Sequence, residues 1–470
     1  MTHIVFCSVP YIETTEPCMG PAVLKSVAER AGYTAVAMDM NLEVFNRMQN
    51  SPNKNKLNDF FFEEYMDDTI VGEVLDYIYL TADRILAEQP QIVGLSLLTY
   101  GCKIFTRWLC VHLRSVAPDL QIVVGGPGVR TFVKDDNDRW VDDLRATGLI
   151  DDYIIGDGEI SVVEYLSGNR DYPGINNSNW QQLDNLDSFP HPDFSDYKFD
   201  QYEKPVIPVV ESRGCVRTCE FCDIIEHWTK FRFRTAENVF NEIVAQAEKY
   251  NIRTISMRNS LTNGNMKVFK ELVRLMANYN RARPAEQQLS WVGYFIIRNA
   301  GQHPEDFWPD LKDSNGTLLL GVESVIQSVR YQIGKKFDDA DIDYHLEMGQ
   351  KYQVPLRLLM IVAYPSETRA DYEFTKQWFQ DRVQYAGNSV YAVSLSIASV
   401  LPGTALERKK EEYGIEVGKF PAIWFNQQLG ISNQEKVDYY NELVELIDRL
   451  GFAVPTHSQK QTLKVMDDFA

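Results

Sequence analysis

The stretch Glu211-Ser212-Arg213-Gly214-Cys215-Val216-Arg217-Thr218-Cys219-Glu220-Phe221-Cys222 places three cysteines within eight residues. Thiolate is the usual protein ligand of an iron-sulfur cube, and three such ligands for four irons leave one iron open to bind another molecule. The chain holds 7 cysteines in 470 residues, so a Cys followed by Cys at both +4 and +7 is expected by chance only roughly 0.002 times. Cys215, Cys219 and Cys222 therefore read as the metal ligands. A structural zinc site needs four closed ligands, and no fourth Cys or His stands at the usual short spacing, His227 lying five residues beyond Cys222. A disulfide framework fits less well: cysteines are sparse, and Met1-Thr2-His3 runs straight into a strand-like segment with no signal peptide.

A chain of this length exceeds one ordinary core, so two domains and an appendage are expected. Net charge is −19, from 47 basic against 66 acidic residues. Such a surface repels phosphate backbones, which disfavours nucleic acid as a partner. The densest basic cluster, Lys230-Phe231-Arg232-Phe233-Arg234, resembles a single-strand binding strip, but three charges beside the cysteine loop suit packing or a small-molecule carboxylate better. No uncharged apolar run approaches the ~18 residues that span a bilayer. A cytoplasmic protein with no membrane partner is the expectation.

Positioning the cysteines requires elements, and these alternate. Residues 1–167 read as a doubly wound parallel sheet, with strands at Ile4 to Val9, Thr34 to Met38, Ile92 to Leu97, Gln121 to Val124 and Asp152 to Ile155, and an Asn-rich polar excursion at 50–58. Strand ends carrying Ser96, Gly125-Gly126 and Gly158-Glu159 face one edge, where a flat or phosphate-bearing ligand would sit. Taken singly, the same glycines make tight strand-to-helix turns. Residues 168–203, rich in Asn, Asp, Pro and Tyr, read as a linker that wraps. From 204 to 400 six strand-helix units predict a partial barrel, with strands at Val206 to Val210, Arg253 to Met257, Trp291 to Ile297, Thr317 to Val322, Leu356 to Val362 and Tyr391 to Ile397. The cysteines follow the first of these strands, at the rim where barrel chemistry sits. Residues 401–470 predict a helical C-terminal tail, Gln434 to Leu450 having helical apolar spacing.

The Cys-x3-Cys-x2-Cys loop with Phe221 before its third cysteine resembles the signature of radical S-adenosylmethionine enzymes, and the amino-terminal half resembles the cobalamin-binding domain of one branch of them through Ser96-Leu97-Leu98, Gly125-Gly126-Pro127 and Gly156-Asp157-Gly158-Glu159. The resemblance implies an α/β fold, a cobalamin-binding-like doubly wound domain followed by a partial (β/α)6 TIM-type barrel. It implies a 4Fe-4S cluster whose open iron is chelated by S-adenosylmethionine, and release of a 5′-deoxyadenosyl radical. Family positions that meet S-adenosylmethionine fall on Phe221, Asn259 and Glu323, the last within Gly321-Val322-Glu323-Ser324; many relatives carry an acid where Asn259 stands. Positions for cobalamin fall on Ser96, Leu98, Gly125, Gly126, Gly158 and Glu159. The Asp-x-His-x-x-Gly element is absent, Asp39-Met40-Asn41-Leu42-Glu43 following the second strand. Since no histidine occurs between His3 and His112, a bound cobalamin is expected to lack a histidine ligand on its lower face. The remaining cysteines, Cys7, Cys18, Cys102 and Cys110, do not match the spacing of sulfur-inserting relatives and read as ordinary packed thiols.

The leading expectation is a cobalamin-dependent enzyme that methylates an unactivated carbon of a small-molecule substrate, fed by an electron donor such as flavodoxin or ferredoxin. The alternatives are radical chemistry without methyl transfer (rearrangement, cyclisation or oxidation) and, from another class, an iron-sulfur and corrinoid-binding sensor. No catalytic base is evident. His227, Tyr294 and His345 are candidate proton handlers, and Arg298 and Arg357, placed at or near barrel-strand termini, are candidates to hold a carboxylate.

Overall fold

A computed structural model describes residues 2–10, 16–63, 66–129, 140–179, 182–418 and 421–455. The chain divides into two compact units, Met1–Pro208 and Val209–Ala470. No helix among the described residues is long and apolar enough to cross a membrane.

In the first unit, β1 (Ile4–Ser8), β2 (Ala35–Asp39), β3 (Ile92–Ser96), β4 (Gln121–Gly125) and β5 (Asp152–Ile154) form a parallel sheet in the order β2-β1-β3-β4-β5. Every residue of β1 is buried, as expected of a strand covered by helices on both faces. The order reverses between β1 and β3, which opens a crevice beyond their carboxyl ends. Asp39, Ser8, Ser96 and Gly125 stand side by side in register on that edge. Residues 168–203 are fastened onto this unit by polar contacts: Lys25 Nζ lies 2.7 Å from Asp196 and 3.3 Å from Asp193, and Tyr202 donates to Asp39 Oδ2 at 2.7 Å. The polar excursion expected at 50–58 instead enters a helix, Lys54–Glu63. Leu57, Phe60 and Phe61, at helical spacing, are buried, and their burial outweighs the weak helix propensity of the asparagines.

In the second unit, β6 (Ile207–Val209) starts at the boundary. A short pair follows, β7 (Ser212–Arg213) and β8 (Arg232–Phe233), and then β9 (Thr254–Met257), β10 (Ser290–Phe295), β11 (Gly316–Glu323), β12 (Leu356–Val362) and β13 (Val390–Ile397). The six long strands form one sheet in the order β13-β12-β11-β10-β9-β6, parallel from β9 to β13. Phe269 of the helix Met266–Arg281 meets Trp291 and Phe295 edge-on, at 5.9 and 5.6 Å between ring centroids. Val292 and Tyr294, which alternate with them, therefore point to the opposite face of the sheet, where Tyr294 is 45% exposed.

The tail departs from the helical expectation. Before the helix Asn433–Arg449 it forms an antiparallel hairpin, β14 (Ile415–Val417) and β15 (Trp424–Asn426). Ile415, Trp424 and Asn426 are buried while Glu416 and Phe425 are exposed, a period of two that a short apolar run did not reveal.

His345 is not near an open cavity. It and His303 are fully buried in the helical layer, with His303 Nδ1 3.1 Å from His345 Nε2 and His345 Nδ1 2.8 Å from the Asp341 carbonyl oxygen. Because that carbonyl only accepts, Nδ1 of His345 donates to it and Nε2 accepts from His303. Burial pushes His345 down to about 4 and, with the repulsion of His345, His303 well below 6.5. The unfolded chain takes up these protons from pH 6.5 downward and the folded chain does not, so stability held above pH 6.5 is lost as pH falls toward 4. Denaturant unfolding at pH 7 and pH 5 is expected to show wild-type stability falling by about 1 kcal/mol or more. A His303→Phe/His345→Leu variant is expected to lose most of that pH dependence; an unchanged slope counts against the assignment.

Candidate active site

β7 and β8 pair antiparallel, Ser212 with Phe233 and Arg213 with Arg232, so residues 214–231 form a loop closed at its neck. The neck requires glycine: Gly214 has φ +84°, and a Cβ there would lie 2.6 Å from the Lys230 carbonyl oxygen. Gly214→Ala is expected to introduce about 1–3 kcal/mol of backbone strain as well as the clash, read as a lower melting temperature and reduced iron content after reconstitution. The basic run is part of this closure. Arg213 and Arg232 lie over the Trp228 ring at 5.6 and 5.2 Å, and Arg234 binds Glu242 at 2.6 Å and the Val210 carbonyl at 3.0 Å.

The three cysteines on the loop are free thiols, Cys219 buried and Cys215 and Cys222 half-buried. Cys215 acts to raise the pKa of both Cys219 and Cys222, and Cys219 that of Cys222, as expected of thiols on one short loop. Burial pushes Cys222 up to about 12 and raises Cys219, against which the positive charge of Lys335 works. The Arg217 amide points at Cys215 Sγ at 3.4 Å, and the Ile224 amide serves Cys222. A donor set of three sulfurs with amides and a cation turned toward them suits thiolates bound to metal. Among the described residues no three His, Cys, Asp or Glu side chains suit a single metal ion; a four-iron cube instead takes its thiolates on separate corners.

Around the loop, Asn259 is buried beyond the end of β9, its Nδ2 donating to Glu211 Oε1 at 2.9 Å and Ser212 Oγ at 3.3 Å while its Oδ1 has no partner. Burial raises the Glu211 carboxyl well above the usual range. Glu323 ends β11 with φ 63° beside a bulge. It is no solvated carboxylate: it is 9% exposed and accepts from Lys335 Nζ at 2.7 Å. Burial opposes the charge on Lys335, yet Glu323 and the thiols of Cys219 and Cys215 hold its pKa above the ordinary lysine value. His227 pairs with Asp223 at 3.5 Å. Arg298 stands three residues past β10, but Arg357 is the second residue of β12, at the amino-terminal edge away from the cysteine loop, where it binds Ser394 Oγ at 2.6 Å.

Residues that spacing alone did not single out complete the loop's setting. Glu220 is buried between two cysteines. Its Oε2 accepts from Tyr413 OH at 2.7 Å and Tyr364 OH at 3.1 Å, and its Oε1 accepts from Lys409. Its amide donates to the Ile333 carbonyl at 2.9 Å, and its carbonyl accepts from the Leu406 amide at 2.8 Å. Cys219 shares an apolar cluster with Val400, Leu406, Tyr413, Ile415 and Trp424, against which Phe221 and Cys222 pack. The one hint in the sequence was a carboxylate set inside a three-cysteine loop.

On the first unit, the predicted residues gather at one sheet edge. Ser96 Oγ approaches Gly20, where a Cβ would come within 3.2 Å, and Leu98 beyond it is 38% exposed. Gly126, at φ +99°, must be glycine because a Cβ would lie 2.4 Å from the Leu97 carbonyl oxygen, whereas Gly125 has room. Gly158 opens the helix Gly158–Leu166 with Glu159 buried in its first turn. Asp39, at the place of the missing histidine element, is engaged by Ser8, Cys18 and Tyr202. A small, partly apolar strand edge at the sheet's switch point suits a planar ligand.

Two parallel sheets in this order, with the thiol loop after the first barrel strand, are the fold of the cobalamin-dependent radical S-adenosylmethionine enzymes. The chain is similar over 98% of its length, and 92% of the other chain, to the methyltransferase TsrM from Kitasatospora setae with cobalamin and a [4Fe-4S] cluster bound, at 13% identity and a TM-score of 0.68. A second TsrM structure, with tryptophan substrate and an S-adenosylmethionine analogue, matches at 12% identity and 0.66 over 99% of both chains. OxsB, with aqua-cobalamin bound, matches over 100% of this chain and 71% of its own, at 12% identity and 0.64. No family model and no curated protein matches the sequence.

Proposed function

We propose that the chain is a cobalamin-dependent radical S-adenosylmethionine enzyme that methylates an unactivated carbon of a small-molecule substrate. The observation that carries this reading is the closed hairpin loop holding three free thiols after the first strand of a six-stranded parallel sheet. The bound groups would supply reductive cleavage of S-adenosylmethionine and a transferable methyl group.

The chain's own part is to hold and orient. Cys215, Cys219 and Cys222 would hold the cluster, which would bind the cosubstrate. The backbone beside Phe221 meets the adenine, and the unpartnered Oδ1 of Asn259 accepts a hydrogen bond from the cosubstrate. The Glu323–Lys335 pair sets the field beside Cys219. On the other unit, Ser96, Leu98, Gly125, Gly126, Gly158 and Glu159 would line the corrinoid site. An electron donor such as flavodoxin or ferredoxin, and a cytoplasmic setting, belong to the same proposal.

The test is anaerobic reconstitution followed by incubation with reductant, S-adenosylmethionine and methylcobalamin. Iron-sulfide absorption, reductant-dependent 5′-deoxyadenosine and corrinoid retained through gel filtration are expected, and a methylated product separates this reading from a merely rearranged or oxidised one. Protein that carries cluster and corrinoid yet yields no 5′-deoxyadenosine would count against this reading and in favour of an iron-sulfur and corrinoid-binding sensor.

A further inference from the structure

We propose that Arg217 and Arg298 form a subsite beside the cysteine loop for an anionic group, carboxylate or phosphate, carried by the substrate. Arg217 lies between the first two cysteines and Arg298 just past the end of β10. Among the described residues neither guanidinium has a carboxylate partner, and the Nε of each is buried without a hydrogen-bond acceptor.

In a chain with 66 acidic residues against 47 basic, several arginines are matched by carboxylates: Arg234 with Glu242, Arg281 with Asp310 and Arg330 with Asp339. The two guanidiniums act on each other through their charge: burial, and then the positive charge of Arg217, lower the pKa of Arg298, with Cys215 acting in the opposite sense. Two partly desolvated like charges are costly side by side unless an anion joins them, and a guanidinium fork suits carboxylate or phosphate.

The site is also built in advance. Arg298 Nη2 donates to the carbonyl oxygens of Asn263 and Gly264 at 3.0 and 3.3 Å. Asn263 is fixed in turn by exchanging two hydrogen bonds with the Ile296 backbone, at 2.8 and 2.9 Å. One side of the guanidinium is thereby held while its Nε remains to be satisfied. The assignment to the substrate rests on the proposed function, in which the cosubstrate's own carboxylate would be taken by the open iron.

Inorganic phosphate and malonate serve as probes, titrated calorimetrically into the full chain with and without reconstituted cluster. One of them is expected to bind the wild type, and Arg298→Gln and Arg217→Gln are each expected to weaken it by about 10- to 100-fold. Arg298→Lys recovers part of the affinity, and S-adenosylmethionine affinity of the cluster-loaded protein stays within about twofold of wild type. Whichever probe wins tells phosphate from carboxylate. The proposal is overturned if neither probe binds the wild type, if both bind the variants as well as the wild type, or if S-adenosylmethionine affinity falls in parallel. It is equally overturned if the substitutions move only the cluster's reduction potential, for then the guanidiniums merely balance its charge. Since the probes report on protein with or without iron, a wild type that assembles no cluster refutes the functional reading separately. Melting curves confirm that each variant is folded, and Arg217→Gln, on a partly exposed loop, keeps the test open if Arg298→Gln does not fold.

Discussion

Protein with Cys215, Cys219 and Cys222 all replaced by alanine is expected to fold, to show no iron-sulfide absorption after anaerobic reconstitution, and to release no 5′-deoxyadenosine above background. The three sulfurs are the only cysteines of the second unit, since the other four lie at positions 7, 18, 102 and 110, so no spare thiol can take over a corner. Cys219 is 8% exposed and packs against Val329, Ile333 and Leu406; its alanine leaves a small cavity worth about 1–2 kcal/mol, too little to unfold an ordinary domain. Loss of chemistry with retention of fold is thus the expected signature, checked by iron analysis, product chromatography and circular dichroism. A triple variant that still cleaves S-adenosylmethionine would remove the basis of the proposed function. Corrinoid retention tests the first unit separately, because its strand edge contains none of these residues.

Glu220→Ala is expected to lower the melting temperature and to cut iron incorporation several-fold even though the three cysteines remain. The variant strands the buried hydroxyls of Tyr364 and Tyr413, at about 1–3 kcal/mol for each unsatisfied group, and frees Lys409. Burial first, with Glu220 adding to it, raises the pKa of both tyrosines, so neither hydroxyl ionises to escape the loss. The backbone bonds of Glu220 to Ile333 and Leu406 do not depend on its side chain, so the loop is expected to loosen and not to detach. Glu220→Gln keeps an acceptor in place and is expected to retain most of the cluster, whereas Tyr413→Phe removes one hydroxyl and is expected to be mild. Iron content and the cluster's electron paramagnetic resonance signal separate these outcomes; equal iron in Glu220→Ala and wild type would show that the carboxylate does not support the loop.

Much of the fold is legible in the chain because its signals are local. All eleven strands of the two sheets read from short apolar runs ended by Gly, Pro or polar residues, and their boundaries shift by at most two residues, as for β10, read from Trp291 and found from Ser290. The helix Lys54–Glu63 and the strands Ile415–Val417 and Trp424–Asn426 escape a local reading because each is stabilised by burial against distant residues and not by its own propensity. Arg357 shows the same limit within a strand: its membership of β12 is local, but which end of the strand faces the chemistry is a matter of parallel pairing.

By itself the sequence determined the three-cysteine loop, its place after the first barrel strand and the two successive α/β sheets, since residue spacing and hydrophobic period are properties of neighbouring residues. Only the tertiary structure decided that Glu323 is paired with Lys335, that Glu220 ties the loop to residues 364, 409 and 413, and that among the described residues the buried Nε atoms of Arg217 and Arg298 have no acceptor. These contacts join residues tens to nearly two hundred positions apart, and charge pairing and desolvation depend on distance in space, which no spacing along the chain records.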